Sequence, residues 1–327
     1  MRRASRCGRR GWRRRCKGRW RMGEGAGAGE RERERLYGCV EAGGTKMVLG
    51  IASGAGAVLD SLTIPTTLPD ETIGAAVAWL DRAARPYGAL SAIGIASFGP
   101  AGIDRGGADW GRITATPKPG WRDCDMAGPF ARALNLPIGF DTDVNAAALA
   151  EHRWGAAQGE RVAAYVTLGT GIGGGVVIDG RPLHGRTHPE MGHVRVRRDP
   201  ADGDFGGICP FHGDCLEGLA SGPAILARWG VSLSDLPADH PGPAIIAGYV
   251  AQLCIALEAM MAPGRIVIGG GVAKTPGLLA RIRAAAEGLA GGYFPGFDGA
   301  RIVAPGLGER SGLLGALVLA EGVVGMR

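Results

Sequence analysis

Apolar and polar positions along this chain follow one pattern, and the pattern comes twice. From Leu36 a short apolar run reaches Glu41-Ala-Gly-Gly-Thr45 and resumes as MVLGIA, which predicts two strands joined by a glycine turn. ETIGAAVAWLDRAARPYG has helical spacing and is closed by Pro86. LSAIGIASFGPAGID reads as a buried strand entering a glycine-proline loop, ITATPKPGWRD as a loop carrying an aromatic, and PFARALNLP as a short helix. IGFDTDVNAAALAEHRWGAA reads as a strand that ends at acidic residues and passes straight into an Ala-rich helix. The second round opens with RVAAYVTLGTGIGGGVVIDGRPLHG, again strand, glycine turn with threonine, strand. RIVIGGGVAKTPGLLARIRAAAEGL adds a buried strand, a triple glycine and a helix, and RIVAPGLGERSGLLGALVLAEG closes with a strand and a capping helix. Such repetition predicts a duplicated α/β architecture around a cleft, with ligands where the strand ends face it.

Composition changes this picture at one end. The formal charge is +6, but residues 1–35 hold 14 Lys/Arg against 4 Asp/Glu, so the rest of the chain is mildly acidic. That leader has no apolar periodicity and no apolar core of a secretory signal. It reads as a basic tail for nucleic acid or anionic lipid, as a poor match to a transit peptide, or as an over-extended start, and the last reading is the expectation. No apolar run reads as long enough to span a membrane. Seven scattered cysteines do not form a disulfide framework, which points to a reducing cytoplasm.

Four stretches carry candidate chemistry. EAGGTK and LGTGIGGG each join two strands, and their backbone N–H groups could cradle a polyphosphate across a cleft, with Gly269-Gly270-Gly271 as a third such turn; ordinary tight hairpins are the alternative. GTGIGG matches a dinucleotide fingerprint by letters only, since it lies between two strands. In FDTDVNAAALAE, Asp143 is placed for a general base that takes a proton from a sugar hydroxyl, while Asp143 or Thr142 could equally cap the helix. In HPEMGHVRV, Glu190 and His193 could bond a polyol, or His193 a metal, or both could be surface polars. In CPFHGDC, Cys209, His212 and Cys215 are joined by His193 as a possible fourth ligand, a Cys2His2 set suited to structural zinc; a redox pair is the weaker reading because there is no C-x-x-C.

Taken in order, EAGGTK, SFGP, TPKPGW, DTDVNAAALAE, LGTGIGGG, PEMGH, CPFHGDCLEGLASGPA and IVIGGGV resemble the ROK family of sugar kinases and regulators, and within it the bacterial fructokinase branch. The resemblance covers about residues 36–325. It implies an actin-like ATPase (ribonuclease H-like) fold: an N-terminal α/β domain at 36–150, a C-terminal α/β domain at 151–310 with a zinc loop at 188–217, and a last helix at about 311–325 packing back on the first domain. It implies ATP, Mg²⁺ and a structural Zn²⁺, with Asp143 as the catalytic base. Asn145, Glu190, His193 and Glu217 fall on sugar-pocket positions. Gly43, Gly44, Thr45 and Lys46, then Gly169, Thr170, Gly171 and Gly173, fall on the phosphate turns, and Gly269, Gly270 and Gly271 on the adenosine side. The zinc ligands fall on His193, Cys209, His212 and Cys215. Two departures from the commoner family pattern, Glu41 for an aspartate and His212 for a cysteine, are similar to the fructokinase branch. The implied activity is phosphorylation of D-fructose to fructose 6-phosphate by a cytoplasmic homodimer that binds no nucleic acid and no membrane. Other readings are a kinase for glucose, mannose or another hexose, a sugar-responsive repressor and a non-catalytic sugar-binding protein. The repressor lacks its helix-turn-helix, and the binding protein would lack the base that Asp143 supplies.

Overall fold

The computed structural model describes residues 35–325, so the expectations for the basic leader lie outside the described residues. The first round of the pattern builds β1 (Leu36–Ala42), β2 (Lys46–Ser53), β3 (Val58–Pro65), α1 (Pro69–Ala84), β4 (Leu90–Ser97), the short β5 (Arg112–Ile113) and β6 (Cys124–Asp125), α2 (Gly128–Leu134), β7 (Ile138–Thr142) and α3 (Asp143–Trp154). The second builds β8 (Val162–Leu168), β9 (Ile172–Ile178), β10 (Arg181–Pro182), α4 (Leu216–Ala220), α5 (Gly222–Trp229), α6 (Gly242–Met261), β11 (Arg265–Gly269), α7 (Leu278–Ala290), β12 (Ile302–Val303) and α8 (Ser311–Val324).

Duplication is visible in the sheets. The first has order β3-β2-β1-β4-β7 and the second β10-β9-β8-β11-β12. In each, an antiparallel hairpin (β1/β2, β8/β9) is extended by two parallel strands (β4 then β7, β11 then β12). Parallel strands are covered on both faces, which explains why these strands read as continuous apolar runs.

Two helices occupy the space between the sheets. The α3 helix turns Ala146 and Ala150 toward the first sheet and α8, and Ala147, Ala148 and Leu149 toward β8, β9 and β11. A helix clasped on both sides must be thin, and its run of alanines supplies that. The α8 helix packs on the first sheet so closely that a Cβ on Gly94 of β4 would lie 1.7 Å from the Ala316 carbonyl oxygen.

The apolar-run expectation needs one correction. α6 is 20 residues long with a mean hydropathy of 1.8, long and apolar enough to cross a membrane by length and composition. Ile246, Val250, Leu253 and Leu257 instead pack it into the core of the second lobe against β8, β11 and α7. The sequence reading missed it because a helix buried on most sides carries no amphipathic period.

Candidate functional site

The catalytic candidate sits where β7 ends and α3 begins. Thr142 is the N-cap, with extended backbone (φ −69°, ψ 154°) and its hydroxyl accepting from the Asn145 N–H at 3.2 Å. The capping alternative therefore belongs to Thr142, and Asp143 is left at the first helical position. One of its oxygens accepts from the Val144 N–H at 2.9 Å. Burial, with a further push from Glu190, raises its carboxyl to about 7, against the pull of the backbone hydrogen bonds. A carboxyl poised near neutrality is suited to accept a proton.

Asn145 is placed differently from the expectation. It is completely buried, its amide nitrogen donates to Asp141 Oδ1 at 2.7 Å, and a Cβ on Gly175 of β9 would come 2.6 Å from its Oδ1. It looks into the α3–β9 contact. Two helical positions from Asp143 turn a side chain by about 200°, so a near neighbour of Asp143 can face the core.

The two glycine turns open at matching ends of their sheets. Gly43, Gly44 and Thr45 link β1 to β2; the Gly43 N–H bonds to the Lys46 carbonyl at 2.9 Å, and the Thr66 hydroxyl donates to the Gly43 carbonyl at 2.8 Å. Thr45 and Lys46 are exposed. Gly169, Thr170 and Gly171 link β8 to β9, and the Gly222 N–H ties this turn to the start of α5 at 2.8 Å. Beside it, Gly270 has φ +93° and leaves Gly271 exposed. Two of the glycines expected at ATP, Gly173 at the phosphate turn and Gly269 on the adenosine side, lie in strands where they make room for packing. Gly173 lies inside β9, where a Cβ would meet Val144 at 3.1 Å, and Gly269 is buried at the end of β11, where a Cβ would lie 2.3 Å from the Tyr165 hydroxyl. Their letters match a phosphate turn, but strand pairing removes them from it.

Glu41 ends β1 next to the first turn. Its carboxyl is raised to about 7, first by burial and then by Asp143, with Lys46 opposing, and it accepts a hydrogen bond from the Leu313 N–H in the first turn of α8. It thus links the first glycine turn to the last helix.

On the other wall, Glu217 of α4 accepts from the Ile172 N–H at 2.9 Å, fixing it to the second glycine turn. Glu190 keeps its carboxylate partly in water; the partial desolvation raises its pKa, His188 and His193 lower it, and Glu217 adds a smaller upward push. The cysteine-histidine cluster forms from residues 16 to 22 positions apart. Its four donor atoms lie within 4.8 Å of one another. His193 Nδ1 is 3.5 Å from Cys215 Sγ and 3.8 Å from Cys209 Sγ, and Cys209 Sγ is 3.6 Å from His212 Nδ1. Ligands held at about 2.0–2.3 Å from a tetrahedral zinc stand roughly 3.3–3.8 Å apart, so the set fits a closed, structural ion. The other nitrogen of His193 lies 3.9 Å from Glu217 Oε1. One imidazole thus faces the cluster with one edge and Glu217 with the other.

Three residues of this region escaped the sequence reading. The buried His188 accepts through Nε2 from the Ala101 N–H at 3.1 Å, joining the PEMGH segment to the SFGP loop of the first lobe. His184, after β10, is 2.8 Å from Asp141 Oδ2, a second contact between the lobes. Trp121 of TPKPGW is fully buried, with its indole N–H donating to the Thr67 carbonyl at 2.8 Å, so it anchors its loop. The duplicated HPE and HGR histidines carried a signal, but their partners lie 43 and 87 residues away.

Comparison with known proteins gives the chain a family. The chain matches the ROK family over residues 37–323. It is 48% identical over 290 residues to a fructokinase of Zymomonas mobilis, covering 88% of this chain and 96% of that protein. Among solved structures, a ROK hexokinase from Thermus thermophilus superposes with a TM-score of 0.73 at 30% identity, covering 89% of this chain and 100% of that one. A ROK family glucokinase from Streptomyces griseus, in complex with glucose and AMPPNP, gives 0.70 at 27%, covering 88% and 99%.

Proposed function

The chain belongs to the ROK family, and from that premise we propose that it is an ATP-dependent fructokinase making fructose 6-phosphate. The observation that carries this is Asp143, a carboxyl held near neutrality at the β7–α3 junction, whose charge is felt by Glu41 beside the first glycine turn. Fructose rather than another hexose is supported by the 48% identity to a fructokinase across nearly the whole chain.

The sugar lies against Glu190, Glu217 and His193, and its primary hydroxyl gives its proton to Asp143 as it attacks the terminal phosphoryl group of ATP. Backbone N–H groups of Gly43–Thr45 and Gly169–Gly171 face the phosphates and stabilise charge that grows on their oxygens. Mg²⁺, when bound, neutralises part of that charge. Glu41 would hold a Mg²⁺-bound water, since the Asp143 carboxylate raises its pKa and a nearby cation would relieve that field. Zn²⁺ would be held by His193, Cys209, His212 and Cys215, where it serves as a structural cross-link between PEMGH and the Glu217 helix. A reducing cytoplasm keeps those thiols free for metal. We further propose a homodimer, for which light scattering of the purified protein is the check.

Coupled ADP release over a panel of hexoses tests the assignment. Fructose is expected to give the highest kcat/KM; a higher value for glucose or mannose overturns the substrate, and turnover of none overturns the kinase. The pH profile is a separate expectation. Asp143 must be ionised to act, so kcat/KM should climb through an acid limb centred near 7 and then level. Because Glu41 rises to about 7 as well, the limb reports both carboxyls together. The same shifts have an opposite sign for stability. The native state holds these protons more tightly than the unfolded chain, so the unliganded protein should lose stability as pH rises from the ordinary carboxylate range to about 7. Melting temperatures measured across that range check it.

A further inference from the structure

The chain passes between the lobes twice among the described residues, at 155–161 between α3 and β8 and at 304–310 between β12 and α8. One side chain binds both passages. Glu151, near the end of α3, is 0% exposed, and its carboxylate accepts four hydrogen bonds. Oε2 accepts from the Ala156 N–H at 2.7 Å and the Gly306 N–H at 2.9 Å, and Oε1 from the Leu307 N–H at 3.1 Å and the Ser311 hydroxyl at 2.7 Å. Ser311 in turn contacts the Tyr165 hydroxyl on β8 of the second lobe. The backbone is cleared for this meeting. A Cβ on Gly155 would lie 2.0 Å from Glu151 Oε2, and one on Gly306 would lie 2.6 Å from the Ala156 nitrogen.

We propose that the Glu151 carboxylate is the pivot of lobe closure, a positioning residue for the kinase reaction. The inference rests on the kinase reading, in which substrates bound on opposite walls must be brought together and water excluded. A helix end needs only its own last carbonyls satisfied; it does not call for a buried anion that collects donors from a segment 155 to 160 residues away. Four hydrogen bonds fill the acceptor capacity of a carboxylate. With both passages fastened at one point, the lobes can rotate about it but cannot slide past each other. The same helix carries Asp143 at its other end, eight residues or about 12 Å away, so a pivot that slips also misaims the base.

Glu151→Gln tests this, because the amide keeps the size but offers one acceptor oxygen and turns an NH2 toward N–H donors. Small-angle scattering with and without fructose plus AMPPNP should show wild-type compaction on binding and its reduction in the variant. The value of kcat should fall about tenfold or more and the KM for fructose should rise, while the circular dichroism of the unliganded protein stays native. Ser311→Ala removes one of the four donors and should shift compaction and kcat the same way by a smaller factor; it decides the matter if Glu151→Gln does not fold. Folded variants that compact and turn over like wild type overturn the pivot. A wild type that phosphorylates no hexose overturns the functional reading instead.

Discussion

Asp143→Asn should lower kcat about 10²–10⁴-fold, the range that general acid–base catalysis supplies. The substitution is chosen because little else depends on the charge. Thr142, not Asp143, caps α3, so the helix start survives. Asparagine keeps an oxygen able to accept from the Val144 N–H. The buried negative charge disappears, so the melting temperature at pH 8 should hold or rise, the reverse of what a damaged fold would give. The acid limb of the pH profile should also lose the contribution of this group. Turnover near that of wild type, measured by coupled ADP release, would remove Asp143 from the role of base.

Cys209→Ser should release the metal and raise the KM for fructose by about 10–100-fold, with a much smaller change in the KM for ATP. Cys209 is a member of the cluster, and the loop that carries it packs against Gly218, next to Glu217. The path is short. Cys209 faces His193 Nδ1, and His193 presents its other nitrogen to Glu217, which holds the Ile172 N–H. Loss of the ion frees His193 to turn and lets the PEMGH segment drift from α4. Elemental analysis and fructose kinetics on one preparation check both halves. Zinc lost with kinetics intact would sever the link, and wild-type protein that binds no zinc would remove the ion altogether.

The two experiments probe opposite walls of the cleft, and the lobes carry the walls. Asp143 is built into the first lobe by the β7–α3 junction, and Glu190, His193 and Glu217 into the second by the loop between β10 and α4. Histidines close the gap between them: His188 holds the SFGP loop, and His184 holds Asp141. The His184 pKa is raised chiefly by its hydrogen bond to Asp141, so that contact is strongest when the imidazole is charged.

Much of this was readable in the order of residues. Strand, glycine turn and strand are local events, and so both hairpins were found from sequence, as was the strand that runs into α3 at Asp143. The soft-ligand cluster was legible too, because three of its four members lie within seven residues and the fourth is close by. What sequence alone could not decide was where a side chain points once lobes and sheets are packed. Asn145 stands two residues from the base yet faces the core, since α3 is clasped on both sides and its successive positions turn through both contacts. Gly173 and Gly269 carry the letters of a phosphate turn but lie in paired strands, where their lack of a side chain admits Val144 and Tyr165. The α6 helix shows no period because it is enclosed. Glu151 looks like the last residue of a surface helix until the chain returns more than 150 residues later to bring it three further donors. Local periodicity and turn chemistry set the elements and the candidate base; distant packing decided which of the neighbouring polar groups reach the cleft and which hold its walls together.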